Sequence, residues 1–198
     1  ETAILLCRRS GNELYEAVAE NNLGQIEEER EHLGRAEVLY RLALERALAL
    51  GDRIREGDNL GNLGTLLLLR GKAADARDLL RRAVALRRQI GDRAYLVLDL
   101  SYLALAEQAL GEPFRARGAM DEALGVLEGG QEGTEQVQAV FLNGYKLYRA
   151  LGDLPRARAL LGRAAAVLEA RHGGDRQAAL RLRVNREIAL RCVEEGLP

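Results

Sequence analysis

A period of forty residues runs through this chain, and it constrains the fold more than any other feature. Asn-Asn-Leu-Gly at 21–24 is answered forty residues on by Gly-Asn-Leu-Gly at 61–64. Ala3, Ala43, Ala83 and Ala123 fall in one register, and Ala36, Ala76 and Ala116 in another. Gly11-Asn12, Gly51-Asp52 and Gly91-Asp92 form a further column. The fourth copy is displaced by one: Gly152, Ala157 and Ala164 stand forty-one residues beyond Gly111, Ala116 and Ala123. The extra residue is expected in EGGQEG, 128–133, because a loop absorbs an insertion at small entropic cost. A period of this length identifies a stacked-repeat architecture, in which each copy buries its apolar face only against its neighbours.

Each copy reads as two helices. In the second, DRIREGDNLGNLGTLLLLR carries apolar residues at helical spacing and stops at Gly71. KAADARDLLRRAVALRRQI then gathers Leu79, Leu80, Ala83, Val84 and Leu86 on one side. Gly91 follows it, where glycine can take a left-handed cap, and Asp52 and Asp92 are placed to cap the next helix. The alanine and glycine columns mark helix crossings, since a small side chain lets two backbones approach. Three prolines and 4% aromatic residues agree with an all-α chain without strands. ETAILLCRRSGN aligns with the second helix of a repeat, so 1–10 are expected to be a partial helix of a preceding one. The repeats are then 12–51, 52–91, 92–132 and 133–173, with a terminal capping helix in 174–198 that offers Leu180, Leu182, Val184, Ile188 and Val193.

Composition narrows the function. The chain has 29 basic and 30 acidic side chains, which gives no electrostatic reason to expect nucleic acid. No run of eighteen apolar residues exists, and no signal peptide stands at the start. Cys7 and Cys192 lack metal-ligand spacing, so a reducing, cytoplasmic setting is expected, with no metal and no cofactor. Lys72 and Lys146 are the only lysines, and this arginine bias suggests a bacterial source. His32 and His172 read as isolated surface residues, Glu27-Glu28-Glu29 as a solvated helix surface, and the pairs Arg81-Arg82 and Arg87-Arg88 as an outward face with i,i+3 and i,i+4 partners. No nucleophile beside a base is visible, so the chain is not expected to be an enzyme.

The columns resemble the tetratricopeptide repeat family: Leu23-Gly24, Ala36, Tyr40 and Ala43; Leu63-Gly64, Gly71, Ala76, Leu80 and Ala83; Leu103-Ala104, Gly111, Ala116, Met120 and Ala123; Gly152, Ala157, Leu161 and Ala164. The forty-residue period is longer than the usual 34 and resembles the long-repeat branch of kinesin light chains, Pins and bacterial Rap-type receptors. Glu31 replaces the expected glycine in the first copy, and the one-residue shift puts Tyr145 in the small-residue column of the fourth. The resemblance implies an all-α, right-handed α-solenoid whose first helices line a concave groove, and a non-catalytic protein- or peptide-binding scaffold.

Asn22 and Asn62 precede Leu-Gly, and Asn143 takes the same column in the fourth copy. Two readings stand side by side: an amide ladder that grips peptide backbone, as the resemblance implies, or a surface residue that bridges to the next first helix. Helical spacing places Asn22, Gln25 and Glu29 on one face, then Asn62, Thr65 and Leu69, then Asn143 and Lys146. With Leu105 and Arg149 these are the groove candidates, and they suggest a partner with an apolar centre, basic towards one end and acidic towards the other. The carboxylate-clamp variety of the family is absent, because the first copy's lysine and asparagine positions hold Asn21 and Gln25, and the second lysine position holds Asp58 or Thr65. The expected partner is therefore a protein or peptide, with no nucleic acid and no membrane, and the terminal helix offers a surface for a homodimer. The alternative is a sensor or self-association arm of a larger bacterial regulator, an ATPase or a transcription factor.

Overall fold

The structure is a computed structural model that describes Leu5 and the residues 12–131, 137–172 and 183–197. The expectations for the partial helix at 1–10, for Cys7, for the turn after His172 and for Leu180 and Leu182 lie outside the described residues. Those described fold into helices without strands: α1 (Glu13–Glu29), α2 (Leu33–Leu50), α3 (Arg53–Leu69), α4 (Ala73–Ile90), α5 (Arg93–Ala109), α6 (Pro113–Val126), α7 (Val137–Ala150), α8 (Leu154–His172) and α9 (Arg183–Glu195). A π-helical turn, Leu127–Gln131, continues α6 into the stretch where the sequence pattern suggests a loop.

The punctuation works as side-chain chemistry requires. Asn12 accepts from Tyr15 N–H at 3.2 Å, and Asp52 Oδ1 accepts from Ile54 and Arg55 N–H at 3.1 and 3.0 Å, each satisfying amides that the first turn leaves unpaired. Pro113 opens α6, where its missing N–H costs nothing. Gly51 and Gly91 close α2 and α4 in the left-handed conformation. Inside the hairpins Gly71, Gly111 and Gly152 take the same conformation, and Glu31 is forced into it at φ 64°.

The chain divides into two compact units, Glu1–Asp92 and Arg93–Pro198. In the first, α1 packs on α2, α2 on α3 and α3 on α4. The crossings sit where the sequence has its small residues. A Cβ on Gly64 would lie 2.7 Å from Leu80 Cγ and 3.4 Å from the Ala76 carbonyl, and one on Gly24 would lie 2.6 Å from the Tyr40 ring. Ala36, Ala43, Ala76 and Ala83 are fully buried in the same seams.

In the second unit α5 pairs with α6 and α7 with α8, while α7 also packs on α5 and α9 on α8 and α7. Ala116, Ala123, Ala157 and Ala164 are buried, as their columns predict. The close approach of α7 and α8 departs from the forty-one-residue register. It falls on Gly144, where a Cβ would lie 2.7 Å from Leu160 Cδ1, and not on the next residue. Tyr145 is buried there and turns its hydroxyl to Glu195 of α9, 3.0 Å away. A ring cannot occupy the crossing itself, so the neighbouring glycine takes the contact. On α9, Ile188 and Cys192 are buried, whereas Val193, expected to pack, is 78% exposed.

Candidate functional site

The exposed faces of the first helix of each hairpin hold the candidate residues. In the first unit Asn22, Gln25 and Glu29 are exposed on α1, Asn62 and Thr65 are half-buried on α3, and Leu69 is exposed near its end. Asn62 Nδ2 donates to Asn21 Oδ1 at 2.9 Å, which ties the two faces side by side. Tyr40 donates to Glu28 Oε2 at 3.0 Å, so this carboxylate is held by its own second helix.

In the second unit Leu98 and Leu105 are half-buried on α5. Asn143 is only 2% exposed, and its Nδ2 donates to Ser101 Oγ at 3.0 Å. Lys146 is engaged by Glu187 of α9 at 2.8 Å. Arg149 is exposed, 3.6 Å from Glu195 and with its guanidinium over the Tyr145 ring. The candidates of each unit are thus brought onto neighbouring helices. Asn22, Gln25, Glu29 and Leu69 of the first unit are exposed, whereas Asn62 is tied to Asn21, and Asn143 and Lys146 are committed to contacts with α5 and α9.

Two surface assignments need correction. Glu27 is 2% exposed, not solvated: His32 Nδ1 lies 2.8 Å from its Oε2, and Arg30 and Arg35 stand 3.8 Å away. The His32 hydrogen bond above all, then the nearby arginines, hold the Glu27 carboxyl below the usual carboxylate range against the opposing effect of burial. His32, read as isolated, is exposed but paired. Arg87, read as outward, is 1% exposed and donates to Asp58 and Asp92 at 2.8 Å each. Gly57 makes the room, since a Cβ there would lie 3.0 Å from the guanidinium. The period did mark the position, since Ala47 and Leu127 fill the same column and both are buried; a second signal was Gly57, where Ala17 and Val97 stand in neighbouring copies.

Sequence reasoning also missed two ionic centres. Arg46 bridges Glu16 at 2.6 Å and Glu20 at 3.0 Å, and both carboxylates are buried between α1 and α2. Glu195 fastens α9: Arg158 donates to its side chain at 3.0 Å and to its carbonyl at 3.1 Å, and Tyr145 donates to its other oxygen. These hydrogen bonds, that of Arg158 first, hold its carboxyl below the ordinary range. Burial pushes the Tyr145 and Tyr148 hydroxyls and the Cys192 thiol up, so none of them is activated at neutral pH. Among the described residues no cluster of His, Cys, Asp or Glu could hold a metal ion, and no helix is long and apolar enough to cross a membrane.

The tetratricopeptide repeat family matches residues 15–89, the stretch that carries Leu23-Gly24, Leu63-Gly64 and the alanine columns of the first two hairpins. Residues 15–89 carry tetratricopeptide repeats. Solved structures share the chain's fold, among them the following two. The crystal structure of BtubC (BKLC) from P. vanneervenii is 22% identical, with a TM-score of 0.69, and the match covers 98% of this chain and 85% of that one. The nearly identical TPR-like repeats assigned to a kinesin light chain of Podosopora anserina are 15% identical, with a TM-score of 0.60, covering 87% of this chain and 84% of theirs. No curated protein matches the chain in sequence. These likenesses extend the hairpin fold to nearly the whole chain.

Proposed function

We propose that this chain is a non-catalytic scaffold that binds a peptide, or a helix of another protein, along the faces of its first helices. The observation that carries the reading is the exposed polar strip of the first unit. Asn22, Gln25 and Glu29 are exposed on α1, beside the half-buried Thr65 and the exposed Leu69 of α3. Amides and a hydroxyl can donate to and accept from a peptide backbone, and Leu69 supplies an apolar contact beside them. In the second unit Leu105 and Arg149 continue the proposal, with Lys146 and Asn143 reached only after their present partners yield.

Photo-crosslinking from single sites tests it. A benzophenone side chain at Gln25 or Thr65, in a lysate of the source cells, should give adducts with a defined partner. The same group at Asp78 or Glu122, on second helices, should give none. Adducts from the second helices alone would overturn the reading. A second reading, a self-association arm, is favoured by Leu190 and Val193, exposed side by side on α9. Light scattering of the same samples separates the two, because self-association gives a concentration-dependent dimer that Leu190→Glu abolishes.

A further inference from the structure

In each unit an asparagine amide bridges one first helix to the preceding one. In the first unit Asn62 Nδ2 donates to Asn21 Oδ1 at 2.9 Å across 41 residues of chain. In the second, Asn143 Nδ2 donates to Ser101 Oγ at 3.0 Å across 42. The acceptors share a column, three residues before Gly24 and Ala104, whereas the donors do not: Asn62 stands two residues before the crossing at Gly64 and Asn143 one before the crossing at Gly144. We propose that each of these pairs is a registration pin: an amide on one first helix, fastened to a short polar side chain on the preceding one, that fixes how the two first helices of its unit stand against each other.

The chemistry of the buried pin explains why it can set a register. The Ser101 hydroxyl gives its only proton to the Leu98 carbonyl at 2.7 Å. Its oxygen can therefore only accept, which requires the nitrogen edge of Asn143 to face it. Ser101 is fully buried and Asn143 nearly so, among Leu100, Leu103, Val140 and Leu142. Ridges of leucine and valine between two helices tolerate sliding with little change in buried area. A polar pair within them does not, because any slip strands a buried donor and a buried acceptor together. In the first unit Asn21 and Asn62 are half-buried, so the same pin is partly open to water.

The inference rests on the proposed binding faces in one respect: the pin sets the spacing between Gln25 on α1 and Thr65 on α3. Asn62 and Asn143 are then positioning residues, acting through the helices that they align.

The test uses the whole chain and needs no ligand. Asn143→Ala, Ser101→Ala and the double variant form a cycle read by amide hydrogen exchange in α5 and α7, with Asn143→Asp removing the donor at constant volume. Each single change should raise exchange in α7 about tenfold, and the double should raise it no further. Effects that multiply in the double variant would overturn the pin. Should those variants fail to fold, Asn62→Ala and Asn21→Ala give the same cycle at the half-buried pair. Register itself is read by spin labels at Gln25 and Thr65, with Cys7 and Cys192 replaced by serine. Dipolar broadening should be sharp in the parent and spread over a second distance in Asn62→Leu. An unchanged spectrum would sink the registration role, and the crosslinking outcome bears on the binding faces alone.

Discussion

The first and second hairpins align column by column, yet one closes on charges and the other on leucine. In α1 and α2, Glu20 and Arg46 meet inside the seam; forty residues on, the same columns hold Leu60 and Leu86, both buried. The second hairpin places its own charge elsewhere, with Arg87 enclosed between Asp58 and Asp92 in space left by Gly57. One hairpin geometry therefore accepts either solution, provided each buried charge arrives with its counterion. A lone charge in either seam would not be tolerated, because desolvation is offset only by a partner and its hydrogen bonds.

The largest way to break that comparison is Arg87→Ala. It removes a buried cation from two carboxylates and leaves a cavity, so urea unfolding should show a loss of about 3–4 kcal/mol. Next comes a transplant of the second hairpin's solution into the first. Arg46→Leu alone should cost about 2–3 kcal/mol by stranding Glu20, whereas Glu20→Leu/Arg46→Leu should recover most of it, measured by the same unfolding curves. A double variant as unstable as the single would show that the two hairpins are not interchangeable. Glu31→Gly should stabilise by about 1 kcal/mol, because glycine relieves the left-handed backbone that the other hairpins already give to glycine; a fall in Tm would refute this.

Acid sharpens the same contrast at α9. The folded chain holds Glu195 below the ordinary carboxylate range, so its contribution is present above that range and fades as pH falls towards the lowered value. Hydrogen exchange in α9 should therefore accelerate between about pH 5 and pH 3, in line with carboxylate titration. Tyr145→Phe, lacking one donor to Glu195, should move that transition to higher pH while leaving α3 and α4 unchanged.

The period made the helices, their order and the small-residue crossings legible, because geometry forces glycine or alanine wherever backbones approach. The glycines at Gly71, Gly91 and Gly111 announced their turns for the same reason. What stayed hidden was the fate of charged side chains. Glu20, Glu27 and Arg87 stand in columns that other copies fill with the buried Leu60, Leu67 and Leu127, yet their charge argued for solvent, and the column does not name the partners that let the seam accept them. Tyr145 was visible as an exception, but its outcome depended on Glu195, fifty residues away. For the candidate site, spacing grouped Asn22, Gln25 and Glu29 correctly on one exposed face. It could not distinguish an exposed asparagine from a committed one, as Asn22 and Asn143 show.

The hairpin arrangement bears on how quickly the chain finds its fold. Each helix packs on elements close to it in sequence, and even Tyr145 and Glu195 are separated by only 50 residues. Closing such short loops costs little entropy, so the search has no long-range step to wait for. Folding can begin at any sound crossing, such as Gly64 on Leu80, and spread to the neighbouring hairpins. A lesion at one crossing then acts locally on the rate, slowing its own hairpin while leaving others free to nucleate.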